Sequence, residues 1–295
     1  MTDKRKQPKS YAMALCKAWG NHFPVGVREI AREVSAKHAD PISKIESLPV
    51  SDEEFEGVLV QNAKNKKWGL AYSAHIREDG KINFTIAHEF GHYVLHRKDQ
   101  NQFACTDDDL RNFPYATKEA RDLEQEANEF ASYLLMPAND FREQVDGQRV
   151  NIDLISHCAD RYATSLAASV LKMIDFIDRP VVVIVSENGV VKWSRSSQHA
   201  LRMRLWFKRG TSIPDKSISM RCAQLGVSMN CPQGQEMNQT IWSKSTTLVE
   251  SAVAQPYYGT VFTILESTNT GHNEPIEGDF DDARDSFDHF RSYSR

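Results

Sequence analysis

The sequence predicts an α+β fold: helices and a small antiparallel sheet come first, and a smaller, mixed or mostly β region follows at the C-terminal end. Apolar residues recur at helical spacing near the N terminus and again in the middle of the chain. Short apolar segments flank turn residues between these helical stretches. Past Pro180 the helical periodicity fades and strand-sized apolar runs replace it.

Composition limits the class of protein. The chain has 295 residues, is 40% hydrophobic and 26% charged, and carries a net charge of −4 at pH 7, which is ordinary for a globular protein. This charge argues against a protein that coats nucleic acid. No apolar run reaches the roughly 20 residues of a membrane span, and no apolar segment follows the basic first nine residues as in a signal peptide. We therefore expect a cytoplasmic protein.

The cysteines are scattered without the spacing of a metal site. In a reducing compartment we expect free thiols. They are Cys16, Cys105, Cys158, Cys222 and Cys231.

The first part of the chain predicts helices at residues 10–19 and 27–36, then a polar connection over residues 41–56. Apolar segments at residues 57–62 and 68–73 flank a polar, lysine-rich turn, which predicts a β-hairpin.

Ile82, Phe84 and Ile86 alternate with polar residues. This alternation predicts a strand over residues 82–86 that completes the small sheet.

His88, Glu89 and His92 form the pattern His-Glu-x-x-His. Residues four apart share a helical face, so both imidazoles can reach one metal ion with Glu89 beside them. Two imidazoles and a carboxylate suit zinc, which lowers the pKa of a bound water to about 7. Glu89 would then take the proton of that water as it attacks a carbonyl. The alternative is a core helix with two hydrogen-bonded histidines.

A third ligand is expected on a helix over residues 124–137, which Pro137 ends. Glu124 and Asn128 share a face, so Glu124 can bind metal while Asn128 holds the outer nitrogen of a histidine. Glu126 points elsewhere and is the weaker alternative.

Two further histidines need separate interpretations. His96 extends the series, but a helix rises about 6 Å over four residues, so a metal held by His88 and His92 lies too far away. Packing, or a hydrogen bond to a ligand from behind, is the better interpretation. His75 could stabilise an oxyanion, in competition with three tyrosines. These are Tyr93, Tyr115 and Tyr133.

Residues 84–96, followed by residues 124–137, resemble the ImmA/IrrE family of zinc metallopeptidases. The family pattern is Phe-Thr-x-Ala, His-Glu-Leu-Gly-His, then Glu-x-Glu-Ala-Asn-x-Phe-Ala and Leu-Leu-Met-Pro. Phe90 replaces the usual leucine, which leaves the chemistry untouched. The resemblance covers roughly residues 20–175.

The resemblance implies a zincin-like metallopeptidase domain over residues 1–178, in which His88, His92 and Glu124 bind Zn²⁺ and Glu89 is the general base. It also implies a regulatory peptidase that cleaves a helix-turn-helix repressor or an antitoxin and so switches on mobile-element or stress genes. An extended substrate would add to an edge strand of the sheet.

Residues 151–177 predict two short helices that resemble a helix-turn-helix in outline. The second, residues 165–175, has Lys172 as its one basic residue, so a structural role is favoured over DNA binding.

Residues 179–272 form the expected C-terminal region, with a regulatory or substrate-recognition role. A hairpin is expected at residues 181–193 and a strand at residues 260–265. Basic residues around Trp206 are interpreted as the surface of a packed segment rather than a nucleic-acid site. Residues 273–295 are an acidic and aromatic tail.

The leading hypothesis is a zinc endopeptidase with one regulatory substrate. The alternatives are a toxin-antitoxin component and a non-catalytic metal-containing sensor or adaptor that binds a repressor or nucleic acid. Glu89 argues against the adaptor, because a structural metal site does not need a general base.

Overall fold

The computed structural model describes residues 7–49, 55–106, 118–226, 232–256 and 259–268. The chain divides into two compact units. The first unit comprises Met1–Phe141 and Cys158–Ala168, and the second comprises Arg142–His157 and Ser169–Arg295. The α+β class is confirmed, with a separate sheet-rich C-terminal region. The domain limits at residues 178 and 272 stay predictions, and the tail at residues 273–295 lies outside the described residues.

The helices of the first unit include α1 (Pro8–Ala18), α2 (Val27–Ser35), α3 (Asp79–His96) and α4 (Lys118–Leu135). The two N-terminal helices and the helix that carries Glu124 are confirmed. Helix α1 packs on α4, where the rings of Tyr11 and Phe130 lie 6.1 Å apart.

The sheet of the first unit contains β1 (Ile42–Leu48), β2 (Phe55–Gln61), β3 (Trp68–Ser73) and β4 (Gln102–Thr106) in the order β1-β3-β2-β4. The antiparallel β2–β3 hairpin is confirmed. The sheet is mixed rather than wholly antiparallel, because β1 runs parallel to β3.

Strand β1 corrects the prediction of a polar connection over residues 41–56. Ile42 and Ile45 are its buried residues, and a register shift between Ile42 and Lys44 breaks the two-residue alternation. Because β1 lies at the edge of the sheet and exposes most of its side chains, its sequence shows little strand signal.

The predicted strand at residues 82–86 is wrong, because these residues belong to α3. Every residue from Thr85 to Val94 is buried, so this part of α3 has no polar face that would reveal a helical period. Local contacts favour the helix. The Thr85 hydroxyl donates to the Lys81 carbonyl at 3.1 Å, and the Asn83 amide donates to the Ala163 carbonyl at 3.1 Å.

Helices α3 and α4 pack closely at Gly91. A Cβ atom on Gly91 would lie 3.2 Å from Ala127 Cα and 3.1 Å from a ring carbon of Phe130. Phe90 and Phe130 pack edge to face with their ring centroids 5.6 Å apart. The backbone that approaches Gly91 belongs to α4.

The middle of the chain contains α5 (Ala138–Val145), α6 (Ile152–Tyr162) and α7 (Leu166–Ile174), which confirms the predicted helical pair. Arg161 donates to both carboxylate oxygens of Asp140, at 2.8 and 2.7 Å. Lys172 is only 3% exposed, so α7 presents no basic side chain to a DNA backbone.

The second unit is built on an antiparallel sheet. Its strands are β5 (Val181–Glu187), β6 (Val190–Ser196), β7 (Gln235–Met237), β8 (Leu248–Gln255) and β9 (Thr260–Ser267), in the order β6-β5-β9-β8-β7. The hairpin at residues 181–193 and the strand at residues 260–265 are confirmed.

Helices of the second unit are α8 (Gln198–Arg202), α9 (Ile218–Leu225) and α10 (Gln239–Trp242). The buried Glu250 carboxylate holds α9 and α10 to β8, because it accepts hydrogen bonds from the Ser219 amide at 2.8 Å and the Trp242 indole at 2.7 Å. The core beneath these helices includes Val182, Ile184, Ala200, Leu205, Ile218, Cys222, Leu248 and Leu265.

The segment around Trp206 is packed, as predicted. The Ser194 and Ser196 hydroxyls donate to the Phe207 and Leu205 carbonyls, at 2.6 and 2.8 Å.

Cys16, Cys158 and Cys222 are buried and form no disulfide within the described residues, which agrees with the expected thiols. The side chain of Cys105 and all of Cys231 lie outside the described part of the chain.

Within the described residues, no helix has both the length and the apolar character needed to cross a membrane. The cytoplasmic location stays a prediction.

The substitution Gly91→Ala tests the packing of α3 on α4. We expect it to lower the free energy of unfolding by about 1–3 kcal/mol, because the added methyl group meets the backbone of α4. In an open helix the same change would stabilise by about 1 kcal/mol. Urea denaturation measures the difference. The control is Gly69→Ala, where the new Cβ would meet only the Val60 carbonyl oxygen at 4.0 Å. A Gly91→Ala protein as stable as the parent would contradict the packing.

Candidate metal centre

Helices α3 and α4 bring three metal-binding side chains together: His88, His92 and Glu124. The two Nε2 atoms lie 3.0 Å apart. Each also contacts the Glu124 carboxylate, His88 at 3.1 Å and His92 at 3.2 Å. The three predicted ligands therefore share one point, and Glu126 is not among them.

These distances fit a metal ion. Ligands held about 2.0–2.1 Å from a tetrahedral zinc ion lie about 3.3 Å from one another. The three donor pairs here are separated by 3.0–3.2 Å, and both imidazoles are almost fully buried. The donor set, two imidazole nitrogens and a carboxylate, is the one expected from the sequence.

Asn128 holds His88, as predicted. Its side-chain oxygen lies 2.9 Å from His88 Nδ1, and its side-chain nitrogen donates to the Glu124 backbone carbonyl at 2.8 Å. An amide oxygen only accepts, so His88 Nδ1 carries the proton. His88 Nε2 then directs its lone pair toward His92 and Glu124.

His92 is held from behind by His96. Their Nδ1 atoms lie 3.1 Å apart, and His96 Nε2 lies 3.0 Å from Glu126 Oε2. His96 thus makes the hydrogen bond expected of it and is not among the three clustered donors. Phe103 of β4 stacks on His92 with ring centroids 4.6 Å apart and planes inclined by 14°.

Burial and the neighbouring charges set the protonation of the cluster. Burial lowers the pKa of His92 to about 4, although its hydrogen bond to Glu124 acts in the opposite direction. Burial raises the pKa of Glu124, but His88 and His92 more than offset this, so the net pKa lies well below its ordinary value. Burial also lowers the pKa of His96. Neutral imidazoles and an ionised carboxylate are the forms that bind a metal ion.

Glu89 is completely buried, and neither of its carboxylate oxygens has a hydrogen-bond partner among the described residues. Burial, then the charges of Glu124 and Glu56, raise the pKa of Glu89 well above its ordinary value. A buried carboxylate without a partner is costly for folding, so its retention beside three metal donors indicates a functional role.

Gly57 on β2 makes room for Glu89. A Cβ atom there would lie 2.8 Å from Glu89 Oε1 and 2.7 Å from Thr85 Cγ2. Sequence analysis missed this residue. The available signal was a glycine inside a strand, which often marks the close approach of another group.

The residues suggested for oxyanion stabilisation differ in their burial and in their contacts. Tyr93 is buried, and its hydroxyl donates to the Asp40 carbonyl at 3.1 Å, so it is already engaged. Lys9 lies over the Tyr133 ring at 4.7 Å. Tyr115 lies outside the described residues, and His75 is exposed after β3. The role of His75 stays a prediction.

Residues 46–173 match the family model described as the IrrE N-terminal-like domain, Peptidase_M78. The matched segment contains α3 and α4 with all three clustered ligands and Glu89. No curated protein matches the chain. The resemblance seen in the two linked motifs is therefore confirmed, and residues 46–173 of the chain belong to the IrrE N-terminal-like peptidase family.

Proposed function

We propose that the chain is a zinc-dependent endopeptidase that cleaves a specific regulatory protein. Membership of a peptidase family supports hydrolysis of peptide bonds. One observation carries the proposal furthest: three donor atoms converge beside Glu89, whose carboxylate is fully buried and lacks a hydrogen-bond partner among the described residues.

Zinc suits the donor set better than the other common divalent ions. Magnesium and calcium prefer six or more oxygen ligands, whereas two imidazoles and one carboxylate are typical of catalytic zinc. Structural zinc sites have four protein ligands. Within the described part of the chain the cluster has three, which favours a catalytic centre.

Each residue of the site has a distinct role in this proposal. His88, His92 and Glu124 hold the ion, which when bound polarises the attacking water and the substrate carbonyl. Glu89 accepts the proton of that water and passes it to the leaving amine. Burial raises the pKa of Glu89, which makes its carboxylate a stronger base toward the proton of that water.

The proposed substrate is a helix-turn-helix repressor or an antitoxin, and the support for it is the family resemblance. The second unit is the proposed regulatory or recognition region. Strand β4 offers a place for an extended segment: it lies at the edge of the described sheet, and its Phe103 stacks on His92. An extended peptide could pair with this edge and pass the metal centre. In this proposal β4 takes the place of the strand that was expected at residues 82–86.

Metal content tests the ligand set. We expect about one zinc ion per chain in the parent protein after dialysis against metal-free buffer. Removing one of three ligands leaves too few donors, so His88→Ala, His92→Ala and Glu124→Ala should each retain almost none. Elemental mass spectrometry gives the ratio. His157→Ala, at an exposed histidine, is the matched control. Full zinc occupancy in the His88→Ala protein would rule out this ligand set.

The substitution Glu89→Gln tests the chemistry. We expect cleavage to slow at least 100-fold, because an amide cannot accept the proton, while zinc content stays at the parent level. The parent and variant are each co-expressed with a candidate helix-turn-helix repressor, and the intact mass of that repressor is measured. New protein N termini are compared in the same cells, so that a different substrate is also detected. Glu129→Gln, at an exposed position on α4, is the control. Cleavage by Glu89→Gln at the parent rate would overturn the proposal.

Gly57→Ala should displace the Glu89 carboxylate without touching the ligands. We expect the cleavage rate to fall about 100-fold, because a displacement of about 1 Å is enough for a loss of that size. Zinc content should be unchanged. Gly69→Ala, in the neighbouring strand, serves as the control and should cleave normally. Equal rates for the two variants would show that Glu89 does not need the space at Gly57.

A further inference from the structure

We propose that His96 and Glu126 are positioning residues that fix the proton of His92 and thereby keep its Nε2 lone pair directed at the metal. This inference rests on the proposed metal centre. It assigns a role to Glu126, the second carboxylate of the α4 motif, which the ligand set does not use.

The three side chains form a continuous line of hydrogen bonds. His92 Nδ1 lies 3.1 Å from His96 Nδ1, and His96 Nε2 lies 3.0 Å from Glu126 Oε2. His92 and His96 are 1% and 2% exposed, whereas the side chain of Glu126 is 31% exposed. The line thus runs from the buried metal centre to a carboxylate that reaches solvent.

The positions of the protons along this line of hydrogen bonds follow from the groups at its two ends. A carboxylate only accepts hydrogen bonds, so His96 Nε2 carries a proton and donates it to Glu126. A neutral imidazole has one N–H, which leaves a lone pair on His96 Nδ1. The short contact between the two Nδ1 atoms then requires the proton on His92 Nδ1. His92 Nε2 is left with its lone pair, the form that a metal ion needs.

The opposite placement of the protons on His92 and His96 is unfavourable at both ends of the line. It would place the His92 proton on Nε2, where a metal ion should bind. It would also leave His96 Nε2 without a proton against the Glu126 carboxylate, so that two acceptors face each other at 3.0 Å. Both ends of the line therefore select the same tautomers.

The two proposed histidine ligands, His88 and His92, are held by different hydrogen-bond partners. His88 is held by a neutral amide oxygen of Asn128, while His92 is held by an imidazole backed by a carboxylate. A carboxylate behind an imidazole makes the ligand more basic. Both supports end on α4, which also supplies Glu124. Phe103 stacks on His92 and fixes the plane of its ring.

Imidazole tautomers are read directly by long-range ¹H–¹⁵N correlation spectra of protein labelled with [¹⁵N]histidine, without and with Zn²⁺. We expect His92 protonated on Nδ1 and His96 protonated on Nε2 in both samples. Signals are assigned from the spectra of the His96 variants described next. A proton on His96 Nδ1 in the metal-free protein would overturn the proposal.

Zinc affinity, measured by competition with a chromophoric chelator, shows whether His96 acts through its hydrogen bond or through its packing. His96→Leu keeps most of the side-chain volume but loses the acceptor, so we expect Zn²⁺ to bind about 10- to 100-fold more weakly. His96→Asn loses volume but places an oxygen where Nδ1 was, so it should bind within about 3-fold of the parent. Glu126→Ala should weaken binding about 10-fold, and Glu129→Ala, at an exposed position, should not.

The outcomes separate the two proposals. If the parent binds Zn²⁺ and His96→Leu binds it equally well, the positioning role is wrong while the metal centre stands. If His96→Asn is as weak as His96→Leu, packing explains the loss and the positioning role is again wrong. If the parent binds no Zn²⁺, the proposed function fails, and the tautomers of the metal-free protein alone decide whether His96 and Glu126 order the protons. Thermal unfolding of each variant verifies that the fold is intact.

Discussion

Close packing of α3 against α4 is the constraint on which the candidate site depends. The absence of a side chain at Gly91 brings the α4 backbone at Ala127 so near that a single methyl group would not fit comfortably. At this distance the short Glu124 side chain reaches both imidazoles of α3. A wider separation would leave the histidines without their carboxylate and would also break the contacts made by Asn128 and Glu126. One packing contact therefore sets the geometry of the ligands and of the residues that hold them.

The site concentrates polar groups in the interior of the first unit, and most of them support one another. The Glu124 carboxylate contacts both imidazoles, Asn128 of α4 holds the outer nitrogen of His88, and His96 of α3 holds that of His92. Glu89 is different, because its carboxylate is buried without a hydrogen-bond partner among the described residues. Folded proteins retain such a group when its chemistry is used. The buried Glu250 of the second unit differs from Glu89, because it accepts hydrogen bonds from Ser219 and Trp242 and links their helices to β8.

The sequence predicted the site better than it predicted the sheet beside it. The spacing of His88 and His92 and the face shared by Glu124 and Asn128 are local properties of helices, so they could be read directly. The choice of Glu124 over Glu126 also agrees with the geometry of the cluster. Strand β1 was missed because an edge strand with a register shift carries little periodicity. Residues 82–86 were misassigned because Ile82, Phe84 and Ile86 alternate with polar residues although all of them belong to α3.

The other features that the sequence did not predict depend on contacts between segments that lie far apart in the chain. Gly57 and Phe103 lie on the sheet and contact Glu89 and His92 of α3. A glycine within a strand was a weak local signal for the first contact, and nothing in the local sequence marks the second. Zinc-edge anomalous diffraction from crystals of the zinc-loaded protein tests the central claim most directly. The account predicts a single strong peak about 2.0–2.2 Å from His88 Nε2, His92 Nε2 and one oxygen of Glu124. A peak at any other group of side chains, or none between these three, would contradict it.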